Sequence, residues 1–367
     1  MNLELSPEQE ALRASVRRFL EERAPIAWVR KQLDEPSGFD PSIWQGLAEL
    51  GLPGLLVPEA LGGAGLGLLE LGVALEELGR ALHTGPLLGS ALGATRLLLD
   101  VASPAEQRDL LPALASGAQR ACVALFEPGS RGAWDAPATA LRGGRLFGVK
   151  EPVLDAAAAD LLLVVAREGV LAVEAKAPGV RLARLESLDP TRQLFRVSLD
   201  GAPARRLGSG DARDAVADAA DALAVGLVAD GLGAAGRALD LALAHAKLRQ
   251  QFGRPIGSFQ AVQHLLVDAL QDVELTRASL YHALWAQDAA PEPERRSAAA
   301  LVKAHASEAL PRVGATAIQV FGGAGFTFEM DVHLYYRRCL SLSLLHGDAG
   351  HHLERLARHA LDTEPAA

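Results

Sequence analysis

Apolar residues recur at helical spacing from the start of the chain. In "LSPEQEALRASVRRFLEERA" the residues Leu12, Val16, Phe19 and Leu20 share one stripe, behind Ser6 as a cap, Pro7 at the first helical position and Gln9 three residues after the cap. That combination predicts an amphipathic helix with a sharp start. "SIWQGLAELGL" and "GLLELGVALEELGRAL" repeat the pattern, and the Pro- and Gly-rich "PGLLVPEALGGAGLG" between them predicts a loop. The first hundred or so residues therefore read as helices.

From about Ala121 the period changes. "RACVALFEP", "GRLFGVKEPVL", "ADLLLVVAREGVLAVEA" and "QLFRVSLDG" are short apolar runs broken by Gly, Pro and Asp, which is the pattern of strands and turns. No helix-length segment separates them, so they predict a small antiparallel sheet or barrel and not alternating βα units. After about Asp211 the helical pattern returns. "ARDAVADAADALAVGLVADGLGAAGRALDLALAHAKLRQQFG" predicts one long helix or two consecutive ones. "SFQAVQHLLVDALQDVELTRASLYHALWAQ" and "SAAALVKAHASEALPRVGATAIQVFGG" predict two more, joined by "DAAPEPERRS" as a loop. The abundant alanine lets such helices approach closely. The fold class is α+β, mostly α, in three domains: residues 1–119 helical, 120–210 a β-barrel or sheet, and 211–367 a helical bundle.

Composition narrows the function classes. A chain of 367 residues is long enough to enclose a cofactor, and a net charge of −9 without a basic arm or stripe argues against a nucleic-acid partner. The two cysteines, Cys122 and Cys339, stand far apart without metal-ligand spacing and read as buried thiols. The N-terminus has no signal-type apolar core, and no apolar run is long enough to span a membrane, so the expected location is cytoplasmic.

Two segments carry candidate chemistry. "LRQQFGRPIGSFQAVQHLLVDAL" puts an arginine at a helix end, an aromatic after it and amide groups at the start of the next helix, a set that suits a nucleotide pyrophosphate and base. An arginine there also satisfies the helix dipole and the last carbonyls, and that structural role carries about equal weight. "QVFGGAGFTFEMDVHLYYRR" places two glycines after a helix carrying Gln319, where backbone must come close to something or where the helix simply ends.

Together, "R-x-Q-F-G-x-P-I-x-x-F-Q" and, some sixty residues later, "Q-V-x-G-G-x-G-F-T" resemble the flavin-dependent acyl-CoA dehydrogenase family. The resemblance extends over the whole chain and implies that family's fold: an N-terminal helical domain, a middle antiparallel β domain and a C-terminal four-helix bundle. It implies FAD as cofactor and a homotetramer, or a heterotetramer with a related subunit. It further implies an acyl-CoA thioester as substrate and electron-transfer flavoprotein or an equivalent as acceptor. By the same resemblance Arg249 matches the pyrophosphate-binding arginine and Phe252 the aromatic beside the nucleotide. Gln251 stands where a hydrogen-bonding residue is usual, Gln260 matches the motif glutamine, and Gln319, Gly322 and Gly323 match the adenosine side. The flavin-ring segments depart from the family. Phe126-Glu127-Pro128 replaces Thr-Glu-Pro, and "KEPVLD" puts Pro152 and Leu154 where the ring-packing tryptophan and hydrogen-bonding threonine belong. This lopsided pattern of losses resembles that of the smaller subunits of two-gene bacterial enzymes that oxidise steroid side-chain CoA thioesters.

The family's reaction needs a carboxylate base. Alignment backwards from "LERLA" puts Asp348 at the position of the usual glutamate, whereas alignment forwards from Gly325-Phe326 puts His346 there. Asp348 is also a favoured residue for capping the helix that follows, and that reading carries equal weight. The alternative position on the first long C-terminal helix holds Leu223, which excludes that branch. His351 and His352 are adjacent, so on a helix they point about 100° apart and cannot chelate one ion; no metal is expected.

Overall fold

A computed structural model describes residues 4–130 and 132–362. The chain forms two compact units. One takes the chain up to Ile26, Gly72–His83 and everything from Leu227; the other takes Ala27–Leu71 and Thr84–Gly226.

The first unit is helical. Helix α1 (Pro7–Arg23) opens with the predicted capping box, in which Ser6 and Gln9 satisfy each other's backbone N–H groups. Helix α4 (Leu68–Arg80) enters the unit at Gly72, and helix α7 (Arg213–Leu248) enters it at Leu227. They are joined by α8 (Gln260–Ala289), α9 (Glu292–Phe321), α10 (Val332–Leu344) and α11 (Ala349–Asp362). The segment 211–248, expected as one helix or two, is a single helix of 36 residues. "DAAPEPERRS" is not a loop: only Ala290 and Pro291 separate α8 from α9, because Pro291 leads in, Pro293 fits the first turn and Glu292 and Glu294 complement the dipole there.

Glycine sets the closest approach in this unit. A Cβ at Gly79 of α4 would stand 1.8 Å from the Asp230 carbonyl oxygen of α7, and one at Gly233 would stand 1.8 Å from that of Glu76. Charged pairs then hold the helices in register. Arg17 of α1 grips Glu77 with two bonds of 2.6 and 2.8 Å, and the fully buried Arg338 of α10 donates to Asp230 at 2.7 Å.

Among its described residues the second unit holds α2 (Ile26–Gln32), α3 (Pro41–Glu49), α5 (Thr95–Val101), α6 (Pro104–Ala115) and eight strands. The strands are β1 (Ala121–Ala124), β2 (Ala140–Arg142), β3 (Arg145–Leu154), β4 (Leu161–Ala166), β5 (Gly169–Glu174), β6 (Val180–Arg184), β7 (Leu194–Pro203) and β8 (Arg205–Arg206). They form two four-stranded sheets, β1-β4-β5-β8 and β2-β3-β7-β6. All pairings are antiparallel except β1 with β4, since the chain crosses to the second sheet for β2 and β3 before it returns.

The run "LLLVV" is apolar throughout because β4 is covered on both faces. Leu162 and Val164 join the core between the sheets with Leu146, Phe195 and Val197, while Leu163 and Val165 join a second core with Leu98, Leu111 and Leu114 of α5 and α6. The strands that apolar runs did not reveal, β2, β6 and β8, are sheet edges rich in arginine, where solvent faces the outer side. Both cysteines are buried free thiols.

Candidate functional site

The nucleotide corner is built where α7 stops. The Arg249 N–H closes the last turn on His245 O at 2.8 Å, and a short hairpin follows in which β9 (Gln250–Gln251) pairs with β10 (Arg254–Pro255). Its turn needs two left-handed residues, Phe252 (φ 53°) and Gly253 (φ 77°), so the Phe252 ring is thrown outward and is 92% exposed. Phe259 meets that ring edge-on at 6.1 Å and carries the Arg254 guanidinium over its face at 4.1 Å; Gln260 then opens α8.

Helix α9 ends beside this corner. Gln319 is exposed, and Gly322 (φ 66°, ψ −144°) takes a conformation open to glycine alone. A Cβ added at Gly322 or Gly323 would meet no atom within 4 Å, so the turn presents open backbone. The two motifs meet through a stack: the His245 ring, one turn before Arg249, lies 4.2 Å from the Phe321 ring at 17°. Arg249, Gln251, Phe252, Gln260, Gln319, Gly322 and Gly323 are all exposed, and among the described residues no carboxylate lies within ion-pairing distance of Arg249. An unneutralised guanidinium, side-chain amides and open glycine backbone fit the pyrophosphate end of a dinucleotide.

Asp348 and His346 lie on a separate turn between α10 and α11. It bends through two left-handed residues, His346 (φ 58°) and Gly347 (φ 95°). Glycine is required at 347, since a Cβ there would stand 2.5 Å from the His351 ring and 3.0 Å from His352. Asp348 is exposed, and its Oδ1 accepts the His351 N–H at 2.8 Å, so the carboxylate caps α11. Its Oδ2 has no hydrogen-bond partner among the described residues. Beneath the turn, the His352 Nε2 lies 2.8 Å from His346 O and the Lys303 Nζ of α9 lies 2.8 Å from Gly347 O.

Burial pushes His352 down to about 3, against the pull of its bond to His346 O. Burial likewise pushes His346 down to about 3, and the Lys303 charge adds to it. Both imidazoles are therefore neutral at pH 7. Lys303 is 1% exposed and is held by burial at about 7, with Asp348 pulling the other way. Sequence reasoning missed it. The available signal was a lysine four residues after Ala299 and seven before Leu310, on the apolar side of an otherwise Ala-rich helix.

The segments that the family resemblance places at the flavin ring lie in the other unit. Phe126 and Leu154, which replace the family's threonines, are both buried, so neither position offers a hydroxyl to a ring. The nucleotide end of FAD fits this chain's residues; the ring end lacks those two donors. Glu127 has a different task. Burial would raise its carboxyl, but bonds from Lys150 and the amides of Thr139 and Ala138 outweigh it and hold it at about 2. The buried Lys150 of β3 reaches Glu127 at 2.9 Å and Leu125 O at 3.2 Å, tying the end of β1 to the second sheet.

The exposed Arg-Gln-Gln-Phe-Gly corner and the Gln-x-x-Gly-Gly turn together form a surface whose donors suit a dinucleotide. Residues 6–118 match the model of the acyl-CoA dehydrogenase N-terminal domain and residues 215–361 that of the C-terminal domain. Acyl-CoA dehydrogenase IpdE2 of Mycolicibacterium smegmatis is 33% identical over 96% of this chain and 98% of its own, and its namesake from Mycobacterium tuberculosis is 34% identical over 90% of each. Among solved structures, a variant of the Tcur3481–Tcur3483 steroid ACAD superposes with a TM-score of 0.88 at 34% identity, covering 97% of this chain and 98% of its own. The ChsE4–ChsE5 complex of Mycobacterium tuberculosis superposes with a TM-score of 0.89 at 30% identity over the full length of both chains. The chain belongs to the acyl-CoA dehydrogenase family, whose cofactor is FAD. No helix among the described residues is long and apolar enough to cross a membrane.

Proposed function

We propose that this chain is a subunit of an acyl-CoA dehydrogenase that holds the nucleotide end of FAD through Arg249, Gln251, Phe252, Gln260, Gln319, Gly322 and Gly323, and that takes the α-proton of an acyl-CoA thioester on Asp348. The observation that carries the reading is the carboxylate itself. One oxygen is fixed by the His351 N–H at 2.8 Å, and the other is left on an exposed turn, so capping and proton abstraction do not compete for the same atom. His346 is the weaker candidate, because an imidazole held at about 3 has little affinity for a proton at pH 7.

Bound FAD supplies the acceptor for the β-hydrogen, which leaves with its electron pair. On this chain, the Asp348 Oδ2 takes the α-proton, and the electron pair of that C–H bond becomes the Cα=Cβ bond of a 2,3-enoyl-CoA. Aspartate is one methylene shorter than the glutamate usual in the family, so the turn has to bring it nearer the thioester.

The proposal includes a cytoplasmic location, an electron-transfer flavoprotein or equivalent as acceptor, and assembly as a tetramer. The relatives described as a steroid ACAD and as a two-chain complex support a bulky, steroid-type acyl group and a related partner subunit. The exposed apolar side chains Leu248, Leu265, Val267 and Leu270 beside the nucleotide corner suit such a subunit contact. A second reading is favoured by Phe126 and Leu154: the chain completes a nucleotide site for a flavin whose ring and base lie on the related subunit.

The test is to purify the full chain alone and with a co-expressed related subunit, then measure flavin absorbance and its anaerobic bleaching by acyl-CoA thioesters, including a steroid side-chain thioester. Bleaching that is lost in Asp348→Asn supports the base; bleaching that survives the substitution removes Asp348 from the chemistry and leaves the second reading.

A further inference from the structure

The side chain beneath the Asp348 turn is a lysine buried in an apolar helix face. Lys303 lies on α9, fully buried, and its Nζ is surrounded by three oxygens: Gly347 O at 2.8 Å, Ser307 Oγ at 3.0 Å and Ser343 O at 3.4 Å. An ammonium has three N–H donors and a neutral amine two, so these acceptors match the charged form donor for acceptor. Two of the three belong to the backbone on either side of the bend. Ser343 is in the last turn of α10 and Gly347 is the residue before Asp348, so one buried group spans the segment that carries His346 and Asp348.

A neutral apolar residue would fill the same volume without the cost of desolvating a charge. It would leave two backbone carbonyls, Ser343 O and Gly347 O, without their donor. The other charged or titratable groups acting on the turn are His346 itself, and His351, His352, Arg355 and Arg358 from α11. Burial holds both His346 and His352 near neutral, so Lys303 is the cation acting on the turn from the α9 side.

We propose that Lys303 is the positioning residue of the proposed base: by bonding Ser343 O and Gly347 O from below, its ammonium fixes the His346–Asp348 turn and the direction of the Asp348 carboxylate. The proposal rests on Asp348 being the base, and its test separates the two. In Lys303→Met, assayed in the full flavin-loaded protein with octanoyl-CoA and a steroid side-chain CoA thioester, the rate of flavin bleaching falls about tenfold to 100-fold, as a sub-ångström to ångström misplacement of a catalytic group requires, while thioester affinity stays near that of the wild type. The His346 imidazole, followed by NMR in the same protein, rises in pKa because its neighbouring cation is gone. Ser307→Ala keeps the cation with one donor unsatisfied and accelerates amide exchange of Gly347 to His351 without altering the remainder of α9.

Wild-type bleaching rate in Lys303→Met together with an unchanged His346 titration overturns the proposal even if Asp348→Asn is inactive. Unchanged amide exchange in Ser307→Ala overturns it where Lys303→Met does not fold. If Asp348→Asn keeps full activity, the base reading fails by itself, and the His346 titration then decides whether Lys303 still governs the turn.

Discussion

The ring of His245 lies 4.2 Å from the ring of Phe321 at 17°, so the end of α7 and the Gly-Gly turn after α9 are joined by one aromatic stack. The two sequence motifs assigned by resemblance to the flavin nucleotide are some sixty residues apart, and this contact brings their supports together. Burial pushes the His245 imidazole down, with the Arg249 charge adding to it, so a neutral ring stacks on Phe321.

Removing the stack should loosen the corner without unfolding the unit. A stacked aromatic pair contributes about 0.5–1.5 kcal/mol beyond the area it buries, so His245→Ala is expected to lower stability by about 1 kcal/mol and to reduce FAD retention on gel filtration. Arg249→Gln should behave differently. The guanidinium is exposed and makes no ion pair among the described residues, so its loss is expected to leave the melting of the flavin-free protein unchanged. It should weaken FAD binding by about 1.5–3 kcal/mol, the scale of a hydrogen bond to a charged group. Fluorescence titration with FAD measures both.

The local geometry around Arg249, Phe252 and Gly322 was legible because each feature is local: a helix end, a hairpin turn, two glycines. The capping box of Ser6 and Gln9 and the start of α8 at Gln260 were legible for the same reason. What pairing over a distance decides was not. Lys150 and Glu127 are 23 residues apart and become partners only when β3 crosses beneath the end of β1, and Lys303 meets Gly347 only when α9 packs on the α10–α11 turn. The start of α9 at Glu292 was obscured by two prolines that read as loop, although Pro293 stands in the first turn, where no amide partner is needed.

The buried pair of Arg338 and Asp230 sets the expected response of the helical unit. Arg338→Met leaves Asp230 buried beside the close Gly79 contact with its main cationic partner gone, and breaking such a pair costs about 3–5 kcal/mol. Adding Asp230→Leu should recover most of that loss, since two packed apolar groups replace a charge that would otherwise be stranded. Urea denaturation of the three proteins distinguishes this from simple additivity, in which the double variant would be the least stable.

Gly347 should tolerate no side chain. Gly347→Ala adds the strain of a left-handed φ of 95° to a contact of 2.5 Å with the His351 ring, whereas Gly62→Ala at φ 86° meets nothing within 4 Å and carries the strain alone. The expected cost at Gly62 is about 1 kcal/mol and at Gly347 distinctly more. Proteolysis of the α10–α11 connection should increase in the Gly347 variant only.

The two neutral histidines predict how the chain responds to acid. His346 and His352 have native values of about 3 against an ordinary 6.5, so the unfolded chain takes up their protons first. Stability is unaffected above about pH 7. It falls as pH drops through 6.5, by about 1.4 kcal/mol per pH unit for each proton taken up only on unfolding, and the loss stops growing below about 3. Glu127, held at about 2 against an ordinary 4.5, adds its own loss in the window from 4.5 down to 2. In His352→Gln the amide can still donate to His346 O but cannot titrate. Urea midpoints measured from pH 7 to pH 4.5, above the Glu127 window, should therefore decline less steeply in that variant than in the wild type, and equal slopes would mean that His352 is not the buried neutral group the His346 contact makes it.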